Sequence, residues 1–99
     1  MPPEKFYICQ NVFHVSTDGQ VCITIATDEF PGPLELKVYN SAGEHIKDLY
    51  KVYLNAPLAP TTVNWDGRNK YGQKVASGVY LLYLIKPYGR LMGRLVVIQ

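Results

Sequence analysis

The sequence predicts an all-β domain built as an antiparallel sandwich. Three observations carry that expectation. Runs of β-branched and aromatic residues alternate in polarity. Short clusters of Gly, Pro, Asn and Asp separate those runs. No window keeps a helical period. The 99 residues suit one domain, so residues 1–99 are read as a single unit. A chain of this length buries roughly 60–68% of its unfolded surface, enough to fold without a metal or a disulfide framework.

Phe6-Tyr7-Ile8-Cys9 reads as a short first strand, continued after a bend by Asn11-Val12-Phe13-His14-Val15. Thr17-Asp18-Gly19-Gln20 reads as a hairpin turn, because Asp-Gly accepts the positive φ that tight hairpins need. In the next strand, Val21 to Ala26, residues Val21, Ile23 and Ile25 share one face. Asp28 to Pro33 is a loop. Leu34, Leu36 and Val38 then face the core, while Glu35, Lys37 and Tyr39 face outward. Asn40-Ser41-Ala42-Gly43-Glu44 fits a type I turn closed by a left-handed glycine.

The returning strand, His45 to about Leu54, breaks strict alternation at Ile46 and Leu49, which predicts a bulge or an edge position. Asn55 to Pro60 reads as a connection. Thr61 to Trp65 is the next strand, with Val63 and Trp65 inward. Ser77 to Lys86 is apolar on both faces and therefore central in its sheet. Pro87-Tyr88-Gly89-Arg90 is a hairpin turn, and Leu91 to Ile98 is the last strand. About seven strands with short turns describe an immunoglobulin or fibronectin type III-like sandwich.

Composition narrows the function classes. The formal charge of +2 comes from interspersed acidic and basic residues, which argues against a nucleic-acid partner. No apolar run approaches the ~20 residues that span a bilayer, so no membrane insertion is expected. Met1-Pro2-Pro3-Glu4-Lys5 does not read as a signal peptide. Cys9 and Cys22 have no metal-ligand spacing. They read as two small, partly buried apolar side chains, with a bridge as the alternative.

A motif links the hairpin and the strands after it. Lys37-Val38-Tyr39-Asn40-Ser41-Ala42-Gly43-Glu44 is followed by Trp65-Asp66-Gly67-Arg68-Asn69, then Gly72, then Ser77-Gly78-Val79-Tyr80. Over residues 11–98 this resembles the Ig-like domain of the flagellar hook-capping protein family, a module found at the C-termini of secreted bacterial proteins. Asn11-Val12-Phe13 stands where that wider group often has asparagine-proline-phenylalanine, with valine in place of proline. A related C-terminal module is a sorting signal in type nine secretion; it usually lacks the full tryptophan-aspartate-glycine loop. The resemblance implies a noncatalytic, extracellular or cell-surface module for assembly, anchoring or export.

The residues themselves offer little chemistry. Asp66 and Asn69 are the oxygen donors of a conceivable cation loop, but a calcium site needs about six or more oxygens and Arg68 and Lys70 flank this one. A structural role is the better reading, with Asp66 bracing a turn and Gly67 and Gly72 supplying unusual φ. Trp65 and Tyr80 complete that turn-and-core set, together with Gly78. His14 and His45 fall in no metal motif, and there is no nucleophile elbow or phosphate loop. No enzyme activity and no cofactor are expected.

The sharper expectation concerns a surface. With Tyr80, Leu82 and Leu84 inward by the family pattern, alternation puts Val79, Leu81, Tyr83 and Ile85 outward. Lys37 and Tyr39 point outward on an earlier strand, and Met92, Arg94 and Val96 on the last. Lys37, Tyr39, Val79, Leu81, Tyr83, Met92 and Arg94 then form an interface with a protein partner or a second copy. The strand Leu95-Val96-Val97-Ile98 is a second candidate, for edge pairing. A carbohydrate-binding role for the tyrosines, or a sorting and anchoring role, is the alternative.

Overall fold

The computed structural model describes residues 4–99, and Met1, Pro2 and Pro3, which begin the segment read as no signal peptide, lie outside the described residues. The elements in order are β1 (Lys5–Ile8), β2 (Val12–His14), α1 (Val15–Asp18), β3 (Val21–Thr27), β4 (Gly32–Asn40), β5 (His45–Leu54), β6 (Leu58–Trp65), β7 (Gly78–Lys86) and β8 (Gly89–Ile98). They form two sheets, β1-β3-β6 and β2-β8-β7-β4-β5. This is an all-β sandwich with eight strands rather than about seven. All pairings are antiparallel except β2 with β8.

Alternation drives the packing. Val21, Ile23 and Ile25 of β3 are fully buried, as are Leu34, Leu36 and Val38 of β4 and Leu82 and Leu84 of β7. Each such side chain contributes about 1.5–3 kcal/mol when removed from water. β7 pairs with β4 on one side and β8 on the other, so the most apolar strand is central. β5 lies at the sheet edge, and its pairing with β4 shifts register between Leu36 and Lys37 and again between Val38 and Tyr39.

Several local readings are corrected. Thr17–Gln20 is not a hairpin turn. β2 pairs in parallel with β8, whereas β3 lies in the other sheet, so the segment crosses the sandwich through the short helix α1. The Asp18 carboxylate still braces it, accepting the His14 N–H at 2.9 Å. β6 starts at Leu58, inside the stretch read as a connection, and Pro60 is tolerated because β6 is an edge strand. The β7–β8 turn is only Pro87-Tyr88, since Lys86 pairs with Gly89.

Cys9 and Cys22 are bridged, with Cα atoms 5.5 Å apart. Ile8 pairs with Ile23, so the next residues on each strand fall opposite one another, and the Cys9 N–H donates to the Cys22 carbonyl at 3.0 Å. Both side chains lie on the outer side of β1 and β3, opposite the buried Ile23. The bridge ties the chain just before it leaves one sheet for the other.

The last strand is not a free edge at its end. Val12, Phe13 and His14 pair with Val96, Val97 and Ile98. Phe13 drives this, because its ring is fully buried 6.3 Å from the Trp65 ring.

Candidate protein-binding face

The outer face of β4, β7 and β8 gathers the residues singled out above. Register sets them in rows. Tyr39, Leu81 and Arg94 form one row, and Lys37, Tyr83 and Met92 the next. Val79 pairs with Val96 beside them. Met92 is 52% exposed and Val79 is exposed, while Tyr39, Leu81 and Tyr83 are half-buried against each other. The Tyr39 and Tyr83 rings meet edge to face with centroids 5.4 Å apart, and His45 packs on the other side of Tyr39 at 5.4 Å. Such aromatic contacts fix rings that would otherwise move freely, which lowers the entropy lost on binding.

Three lining residues, Gly43, Ile85 and Arg90, stand outside the interface set. They join Tyr39, Leu81 and Tyr83 around an open hollow of about 240 Å³. Arg90 reads from sequence as a turn residue. Only the two-residue turn places it on β8 opposite Ile85.

The charges on this face are unequally engaged. Lys37 lies 3.4 Å from Asp48 and 3.8 Å from Glu35. Burial pulls the Lys37 ammonium down, but Asp48 and Glu35 more than offset it and its pKa is raised. Burial pushes the Asp48 carboxyl up, yet its bonds to His45, at 2.8 Å, and to Lys37 leave its pKa lowered. Lys37 is therefore an occupied cation. Arg90 and Arg94 are exposed and, among the described residues, lie within ion-pairing distance of no carboxylate.

The tryptophan-aspartate-glycine loop lies at the end of the sandwich. Trp65 is buried, and its indole N–H donates to the Arg68 carbonyl at 2.9 Å. Asp66 accepts the Arg68 N–H at 3.1 Å. Gly67 and Gly72 have φ of 76° and 81°. Gly78 is different: its φ is not positive and open space stands where a Cβ would go, so nothing in its surroundings requires glycine.

Asn69 is the loop's main brace and was not singled out as one. Its side-chain oxygen accepts the N–H groups of Tyr71 at 2.9 Å and Gln73 at 3.0 Å. The sequence held the clue, since Asn69-Lys70-Tyr71-Gly72-Gln73 repeats the pattern of Asn40-Ser41-Ala42-Gly43-Glu44. Tyr80 also does more than fill the core. Its hydroxyl donates to the Ala76 carbonyl four residues upstream at 2.6 Å, the tyrosine corner of immunoglobulin-like sandwiches. Burial raises its pKa. Among the described residues, no three His, Cys, Asp or Glu side chains are grouped to hold a metal ion, and no helix is long and apolar enough to cross a membrane.

Fold and face define an immunoglobulin-like β-sandwich with an aromatic, basic-edged sheet surface. The structure is similar to a domain-sized part of PorZ, an essential bacterial surface component of the type-IX secretion system of Porphyromonas gingivalis. The TM-score is 0.61 at 25% identity, covering 95% of this chain and 11% of PorZ. The chain thus spans about a tenth of that protein's length. The match is to a component of type-IX secretion and does not support the hook-cap assignment. No family model matches the chain, and no curated protein matches it significantly.

Proposed function

We propose that this chain is a noncatalytic assembly module of a bacterial secreted or cell-surface structure connected with type-IX secretion. It docks on a neighbouring protein through the outer face of β4, β7 and β8. One observation carries the reading: Tyr39, Leu81, Tyr83 and Met92 form a continuous, pre-ordered apolar and aromatic surface with arginines at its margin. Tyrosine, methionine and arginine are enriched at protein interfaces, and a patch of this kind marks one. The likeness to a secretion-system component, rather than to a secreted cargo, favours assembly over sorting.

The test is the double substitution Leu81→Arg with Tyr83→Glu in the protein as it is expressed in its own cell. Both side chains point away from the core, so circular dichroism and the melting curve should stay close to wild type. Association of the protein with its surface assembly should be lost. Normal association of the folded variant defeats the proposal. The hollow between Tyr39 and Tyr83 supports a carbohydrate-binding reading second. Saturable tyrosine fluorescence changes on glycan titration, abolished by the same double variant, would favour it.

A further inference from the structure

The sheet edges differ in how well they are guarded. β5 is interrupted by two register shifts and carries Lys47, Asp48 and Lys51. β6 contains Pro60, and β1 is four residues long. These features discourage the addition of another strand. β8 has no register shift and no proline, is ten residues long, and its charges are the two arginines Arg90 and Arg94. Its pairing with β7 is regular from Lys86–Gly89 to Gly78–Val97.

β2 covers only part of that strand. The Val96 N–H donates to the Asn11 carbonyl at 3.2 Å, and the pairing with β2 runs from Val96 to Ile98. Backbone groups alternate in direction along a strand. The N–H and C=O groups of Arg94, Met92 and Arg90 therefore point to the same side as those of Val96, where β2 no longer runs. Unpaired edge groups of this kind are a template for β-augmentation.

The surroundings define the occupant. On the inner side, the half-buried Phe6 and Ile8 approach Gly93, with Ile8 Cδ1 3.2 Å and Phe6 3.4 Å from the position of an added Cβ. That side is apolar. On the outer side stand Arg90 and Arg94, exposed and without a carboxylate partner among the described residues. A second copy is a poor fit. Antiparallel self-pairing centred on Met92 sets Arg90 of one copy opposite Arg94 of the other, twice, and like charges directly opposite are destabilising.

We propose that the Gly89–Leu95 edge of β8 takes up an extended acidic segment of a partner polypeptide as an added strand, its carboxylates beside Arg90 and Arg94 and its alternate apolar side chains over Phe6 and Ile8. The proposal rests on the protein-binding reading but uses the backbone edge instead of the sheet face. Direct main-chain bonds supply affinity, and the arginines select charge.

The test uses the folded domain, amide NMR and hydrogen exchange, with an acetylated Glu-Val-Glu-Val-Glu-Val-Glu peptide and its lysine counterpart as probes. Without peptide, the amides of Arg90, Met92 and Arg94 should exchange much faster than those of Leu91, Gly93 and Leu95. The acidic peptide should protect those three amides, and the lysine peptide should bind about tenfold more weakly or worse. Met92→Pro removes an edge N–H that takes no part in the β7 ladder, and it should abolish binding, while Met92→Ala should retain it. No binding at millimolar peptide, or protection confined to other amides, overturns the proposal. Equal loss in Met92→Ala and Met92→Pro also overturns it, and leaves the sheet-face reading standing. If Met92→Pro does not fold, the wild-type protection pattern decides.

Discussion

The two ends of the sandwich are closed by different chemistry. At one end, the β4–β5 turn and the β6–β7 loop are held by neutral bonds from asparagine side chains to nearby backbone. Asn40 accepts the N–H groups of Ala42 at 3.0 Å and Glu44 at 2.9 Å, and Asn69 does the same for Tyr71 and Gln73. At the other end, charge does the work. Lys86 bonds Glu29 at 2.6 Å and Glu4 at 2.7 Å, and Glu29 also accepts the Tyr88 N–H at 2.8 Å. Gly32 allows that end to close, since a Cβ there would stand 2.7 Å from the Pro87 side chain. The asparagine bonds of the neutral end reach partners within four residues. The ionic end joins residues that are 57 and 82 apart in sequence. Local chemistry builds the first, and only the finished fold builds the second.

The neutral end should prove the more sensitive, because the core passes through it. Trp65 contacts Tyr80 with ring centroids 5.7 Å apart and hangs its N–H on the loop. Trp65→Ala should cost about 3–5 kcal/mol in chemical denaturation. A loss below about 1 kcal/mol would mean that the loop and core are not coupled as described.

The two asparagine turns allow a finer comparison. Both repeat the same bonds, and Gly43 and Gly72 have φ of 86° and 81°. The Asn69 turn has extra tertiary ties. The Lys70 N–H donates to the Ile46 carbonyl at 2.9 Å, and the Arg68 guanidinium donates to the Gly72 carbonyl at 2.8 Å. Asn69→Ala should therefore cost about 2 kcal/mol and Asn40→Ala about 1 kcal/mol, measured by urea unfolding. Equal losses would show that tertiary anchoring adds nothing to the motif.

The ionic end should respond to pH where the turns do not. The hydrogen bond from Lys86 is the main reason that Glu29 is held below its ordinary carboxylate value of 4.5, with the Tyr88 N–H assisting and burial opposing. A lowered folded pKa means that the contribution is present above 4.5 and fades as pH falls through the folded value. For Lys86, burial pulls the pKa down, but Glu29 and Glu4 raise it overall above 10.5, so its contribution is lost only in strong alkali. Glu29→Gln should cost about 1 kcal/mol at pH 7, allowing for solvent screening. That deficit should shrink as pH falls below the ordinary value, whereas the Asn40→Ala deficit should not. The smallest effect is expected for Glu44→Gln, within about 0.5 kcal/mol, because Gln73 already fills the equivalent place in the other turn.

Strand identity was legible because alternation acts between neighbours. Leu34, Leu36 and Val38 face the core as their spacing requires, whereas β7 is apolar on both faces and only the family resemblance assigned Leu82 and Leu84 inward. Alternation gives the outward direction of Tyr39, and gives that of Leu81 and Tyr83 once the resemblance has set Leu82 and Leu84 inward. The bulged edge strand β5 was legible in the spacing of Ile46 and Leu49. Arg90 was hidden because its place depends on the length of the β7–β8 turn. The bridge between Cys9 and Cys22 was hidden because strand register, and not sequence separation, brings the two residues opposite.

The sequence by itself determined most of the strand segments, the buried faces of β3 and β4, and the two glycine-closed asparagine turns. These rest on the two-residue period of a strand and on bonds spanning a few residues. Tertiary structure alone decided that β2 leaves its neighbour to run parallel to β8, that Lys86 meets Glu29, and that part of β8 stays open at the edge. Each of these is a choice among partners distant in sequence. Such choices are settled by how the whole core closes around Phe13 and Trp65, and no short pattern encodes them.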